Sequence, residues 1–151
     1  MTNAQELSVR NDGRASARTV DGAGPAIWAG RLLSGLTIIF LLLDAAMKLV
    51  PLQPVIESMQ DLGFISTPAL ARRLGVLLLA CTVLHAVPRT ALLGAILLTG
   101  YLGGSIAIHL RAGSPLFSHV LFGAYIGLAL WAGLLARDAQ ARTQLFGRIG
   151  G

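Results

Sequence analysis

The chain has 151 residues, of which 54% are hydrophobic and only 13% charged, and its mean hydropathy is +0.70. Soluble domains carry about a quarter charged residues, so the composition excludes that class and points to a single domain set in a bilayer. Twelve Lys and Arg against seven Asp and Glu give +5, but the basic residues are scattered between apolar runs. That pattern fits anionic head groups and not nucleic acid, and the lone cysteine, Cys81, excludes an intrachain disulfide or a CxxC relay.

Residues 1–25 are polar and lack the apolar core of a signal peptide, so a disordered cytoplasmic tail is expected. Residues 26–138 form the membrane domain, with four predicted spans at about 27–50, 69–87, 90–110 and 116–136. Each is long enough, at about 1.5 Å per residue, to cross all or nearly all of a hydrocarbon core of about 30 Å. Between the first two spans, PVIESMQDLGF places Val55, Ile56, Met59, Leu62 and Gly63 at helical spacing, with Glu57 and Asp61 on the other face. That pattern predicts a short amphipathic helix lying at the interface. Residues 139–151 are a short basic tail. The fold class expected is all-α, a four-transmembrane-helix bundle.

Four spans place both termini on one side. The tails and the second connection hold Arg10, Arg14, Arg18, Arg31, Arg89, Arg137, Arg142 and Arg148, against Lys48, Arg72, Arg73 and Arg111 on the other side. The positive-inside rule then makes both termini cytoplasmic, in a bacterial inner membrane. Trp28 and Trp131, near span ends, read as interfacial anchors. Helices in lipid associate through close backbone approach, so Gly30 with Ser34, Gly100 with Gly104 beside Gly103, and Gly123 with Gly127 predict a tight bundle. The other reading of such a glycine face is that it admits a flat ligand.

Ionisable groups inside a bilayer are disfavoured by roughly 2.5–3.5 kcal/mol each on insertion scales. Asp44 and Lys48 are four apart with the acid first, the favourable order for an ion pair on one helix face. They read either as a neutralising pair that sets helix rotation or as a site for protons or anions. His109 and Arg111 close the third span at the same end, His119 opens the fourth, and the turn at Gly113, Ser114 and Pro115 lets the histidines come near each other, with helix rotation deciding whether they meet. Arg72 and Arg73 start the second span there. Every span therefore sends an ionisable group to one end of the bundle. No HxxxH or ExxH spacing is present, and the nearby cations repel a metal, so none is expected. A polar network stapling the helices competes with a pocket for a quinone head group, a small anion or a partner protein; an imidazole titrating near neutrality suits proton exchange with a quinol. Tyr101 can hydrogen-bond across the bundle or simply pack, and Ser105 can orient His109. At the other end His85 reads as an interfacial side chain, while Cys81 reads as a small apolar filler.

The runs IIFLLLDAAMKLVPLQPVIESMQDLGF and PRTALLGAILLTGYLGGSIAIHLRAGSPLFSHVLFGAYIGLALWAGLL resemble the DoxX-like family of small four-helix bacterial membrane proteins. The resemblance covers about residues 28–138, and its most specific stretch is 88–122. It implies polar positions of interest at Asp44, Lys48, Arg89, Tyr101, His109, Arg111 and His119. It also implies a link to membrane redox systems, since DoxX is named after a subunit of a thiosulfate:quinone oxidoreductase. The function expected is an accessory or quinone-interacting subunit, with quinone as candidate cofactor and the bilayer, a redox protein and a second copy as candidate partners. Asp44 and His109 would handle protons, Lys48 and Arg111 hold an anionic or carbonyl oxygen, and His119 support them. The competing readings are a small proton, anion or solute transporter, for whose aqueous path the mid-span residues offer little beyond Thr37, Thr82, Thr99, Gly100 and Tyr101, and a non-catalytic structural partner.

Overall fold

A computed structural model describes residues 23–50, 52–64 and 67–147. The expected tail at residues 1–22, with Arg10, Arg14 and Arg18, lies outside the described residues, as do Pro51 and Arg148. The helices are α1 (Ala23–Leu49), α2 (Gln53–Asp61), α3 (Pro68–Ala86), α4 (Ala91–Arg111), α5 (Phe122–Arg137) and α6 (Ala139–Phe146), with a single π-helical turn (Leu116–Val120) leading into α5. Among the described residues there is no strand. Four stretches are long and apolar enough to span a membrane: Gly24–Leu49, Pro68–Ala86, Ala91–Arg111 and Leu116–Arg137. The first helix begins earlier than expected, taking in residues 23–25; Pro25 sits in the first turn, where its missing N–H breaks no ladder bond.

Local chemistry sets most boundaries. Pro68 opens α3, and the Thr67 hydroxyl accepts from the Leu70 N–H at 3.3 Å, an N-cap. Pro54 lies in the first turn of α2, and Gly63 closes that element with φ +79°. Gly113 turns the chain between α4 and the π-helical turn at φ +69°, a region a side chain would resist. Asp138 ends α5 and caps α6, its carboxylate accepting from the N–H groups of Gln140 (2.9 Å) and Ala141 (3.1 Å). The basic tail thus carries a short helix with Ala141 buried.

The spanning helices run up and down in sequence order. α1 packs against α3 and α5, α3 against α4, and α4 against α5, closing a ring. The core includes Leu41, Leu78, Cys81, Leu98, Leu130 and Leu134. Close backbone approach is made by glycines only partly foreseen from the sequence. A Cβ at Gly133 would meet the Ser34 backbone N at 2.9 Å, one at Gly75 would meet Leu49 N at 3.0 Å, and one at Gly94 would overlap the His85 backbone. Gly30 against Ala136 and Gly123 against Leu102 and Ile106 fit the packing expected of them. Gly100, Gly103 and Gly104 do not: nothing lies within 4 Å of a Cβ at any of them. The α4 face carrying them is in contact with no neighbouring helix, a rotation that the near-uniform hydrophobicity of this span does not specify.

Candidate functional site

At the end of the bundle away from the start of α1 and the end of α5, the four spans part around a cavity of about 640 Å³. Its polar lining is Asp44 and Lys48 from α1, Tyr101, Ser105 and His109 from α4, and His119 from the π-helical turn. Leu41, Leu70, Leu74, Leu102, Phe122 and Ile126 make apolar walls, and Val55, Ser58, Met59 and Leu62 bring α2 over the opening. The amphipathic helix expected between the first two spans is present, with Met59 buried and Glu57 and Asp61 exposed. Its apolar side borders this chamber. Periodicity reveals such a face but not what the face covers.

Lys48 Nζ donates to Asp44 Oδ1, one turn apart on α1. The pair keeps both charges close to neutral overall in a setting where a lone charge is costly. The His109 and His119 rings lie 5.8 Å apart, centroid to centroid, at an interplanar angle of 52°. The turn therefore does bring the two histidines together. His109 Nδ1 pairs with Ser114 Oγ at 3.1 Å and His119 Nδ1 with Ser118 Oγ at 2.7 Å. Both rings are held through Nδ1, which leaves Nε2 as the nitrogen available to a ligand. Ser105 lines the cavity but does not orient His109; Ser114, in the turn, does so. Tyr101 is packed against the core and reaches the cavity, and its hydroxyl bonds to no other helix among the described residues.

Three residues expected at this end lie outside the cavity. Arg111 does not line it: its guanidinium lies 3.6 Å from where a Cβ of Gly63 would be, beside the end of α2. The physical reason is helix rotation, since Arg111 is two residues past His109 and about 200° around the axis. Arg72 and Arg73 are exposed on α3, where long side chains reach the head groups. Arg89 is likewise exposed, at the opposite end.

His85 departs furthest from its sequence reading. It is fully buried, not interfacial, with Nδ1 3.1 Å from Ala91 O. Arg137 Nη2 donates to the His85 backbone carbonyl at 3.1 Å, joining α3 to the end of α5. Among the described residues, His85 Nε2 and Ser34 Oγ are buried without a hydrogen-bond partner. Trp131 is more than an anchor: Nε1 donates to Thr99 Oγ1 at 2.9 Å, bonding α5 to α4. Trp28 is well exposed, as an interfacial ring would be.

A family model described as the DoxX-like family matches residues 32–133. The chain belongs to the DoxX-like family. No curated protein and no solved structure matches it. The DoxX-like match runs from α1 into α5 and contains every residue that lines the cavity. It leaves α6 outside.

Proposed function

We propose that this DoxX-like membrane protein is a quinone-interacting accessory subunit of a membrane redox system and that the cavity receives the head group. The observation that carries this reading is the convergence of Asp44, Lys48, Tyr101, His109 and His119 on one chamber whose other walls, apart from Ser58 and Ser105, are apolar. A volume of about 640 Å³ lies within the roughly 300–1,000 Å³ usual for small-molecule sites, and a few polar groups in an apolar enclosure fix orientation. The donor set fits a quinone. Lys48 and an imidazole N–H can donate to carbonyl oxygens, while neutral imidazole and the Asp44 carboxylate can accept protons from hydroxyls. When bound, the quinone supplies two-electron, two-proton chemistry. The chain's own residues bind, orient and hold protons at His109 Nε2, His119 Nε2 and Asp44. A partner protein would supply or accept the electrons. In an inner membrane with cytoplasmic termini, the cavity opens toward the outer leaflet.

A small transporter fits these features less well. Leu41, Leu78, Leu98, Leu130 and Leu134, each at most 2% exposed, fill the bundle beside and beyond the cavity. Thr37, Thr82 and Thr99 donate to carbonyls one turn back, Leu33 (2.9 Å), Leu78 (2.7 Å) and Ala95 (2.8 Å), so their hydroxyl protons are already engaged.

The test is the isoprenoid quinone that co-purifies in mild detergent, measured for the wild type, the His109→Ala variant and an unrelated four-span protein. Near-stoichiometric quinone in the wild type, lost in His109→Ala, is expected. Equal background in all three samples would overturn the reading.

A further inference from the structure

We propose that the cavity opens sideways into the bilayer between α3 and α4, so that its ligand is a lipid-soluble amphiphile. The polar head sits among Asp44, Lys48, His109 and His119, and an apolar tail leaves past Gly100 and Gly104. This inference rests on the head-group reading above and specifies how the ligand arrives.

The two helices start in tight contact, since a Cβ at Gly94 would overlap the His85 backbone. Ten residues further along α4, about 15 Å at helical rise, the antiparallel register brings Gly104 level with Leu74 and Gly75. Gly75 packs against α1, at Ala45, Lys48 and Leu49. Gly104 meets nothing within 4 Å, and neither does Gly100. Both are exposed and both line the cavity, as do Leu70 and Leu74 from α3 and Ile108 from α4. No atom packs on Gly104 at this level while both helices line the same chamber, which puts the opening between them.

Depth and chemistry identify the occupant. Gly104 lies seven residues before the end of α4 at Arg111, about 10 Å inside the span, which is hydrocarbon and not water. The rim residues Leu70, Leu74 and Ile108 offer no hydrogen bond to a water-soluble solute. They do offer apolar surface to a chain. Glycine within a helix is disfavoured by about 1 kcal/mol relative to alanine, and neither Gly100 nor Gly104 offsets this by letting another helix approach. Gly103, equally open and exposed, does not line the cavity and serves as the control for added bulk on a lipid-facing surface.

Two measurements test the proposal. In the first, Leu74→Trp is the sole indole, in a Trp28→Phe/Trp131→Phe background, and is reconstituted in phosphatidylcholine with brominated acyl chains. Quenching that is relieved by Gly104→Leu but not by Gly103→Leu is expected. An unquenched indole, or quenching unchanged by Gly104→Leu, overturns the lateral opening whatever the ligand. In the second, a quinone with a long isoprenoid tail is compared with tail-less dimethoxy-methyl-benzoquinone. Gly104→Leu should weaken the tailed ligand about tenfold, the weight of roughly two buried methylenes, and leave the tail-less one unchanged. Equal loss of both overturns the tail path. Failure of the wild type to bind either sinks the quinone head-group reading, while the quenching experiment still decides the opening. If native mass spectrometry shows a dimer that both Gly103→Leu and Gly104→Leu dissociate, the stripe belongs to a second copy and the proposal falls.

Discussion

Asp44 and Lys48 illustrate how a membrane interior raises the stakes of a single side chain. Each would be disfavoured alone, and together they form one compact dipole at the wall of the cavity. Removing one partner strands the other. Asp44→Asn is expected to destabilise the bundle by about 1–3 kcal/mol, below the range for fully buried pairs because the side chains keep 21% (Lys48) and 35% (Asp44) exposure. Asp44→Asn/Lys48→Met should recover most of that loss, read as the unfolding midpoint in detergent. A double variant as unstable as the single one would show that the acid serves the fold through other contacts. His85 makes the complementary point. Its Nδ1 faces Ala91 O across the short α3–α4 connection while its backbone carries the contact with Gly94. It belongs to the joint between two helices and not to the membrane surface.

At the scale of the elements, glycine has two uses on one helix. Gly94 allows α3 to approach α4, whereas Gly100, Gly103 and Gly104 face open space. Gly94→Ala is expected to destabilise by about 1–3 kcal/mol, because the methyl group must push the His85 backbone away. Gly103→Ala should be neutral or stabilise by up to about 1 kcal/mol through helix propensity. Paired thermal melts check both, and equal effects would contradict the packing described. α2 adds the other lesson of this scale: an amphipathic helix that reads as a membrane-surface element also borders a chamber, because Met59 and, just past its end, Leu62 line the cavity while Glu57 and Asp61 stay exposed.

Across the whole molecule, the division of labour is axial. The half at the start of α1 and the end of α5 is filled by leucines and joined by Arg137 to His85 O, by Gly133 against Ser34 and by Gly30 against Ala136. The other half holds the cavity and its ionisable groups. Orientation gives that division a direction, and single cysteines in a Cys81→Ala background measure it. Gln60→Cys, on exposed α2, should react with a membrane-impermeant maleimide in intact cells, and Gln140→Cys, on exposed α6, only after permeabilisation. The reverse pattern would turn the cavity toward the cytoplasm.

Hydropathy alone determined the four spans, their order and the short amphipathic segment, because removing apolar side chains from water is a sum over residues that needs no knowledge of their neighbours. Spacing alone determined the Asp44–Lys48 pair, since both partners lie on one helix, whereas the short turn only allowed His109 and His119 to come near, and it is the tertiary structure that sets their rings together. The rest depended on helix rotation. A span that is apolar on every side carries almost no periodic signal, so nothing local says that Gly104 is open, that His85 is buried, or that Arg111 swings out beside Gly63 while His109 turns in. Those outcomes come from the fit of one helix surface into another, at contacts such as Gly94 with His85 and Gly133 with Ser34, where steric overlap permits a single rotation.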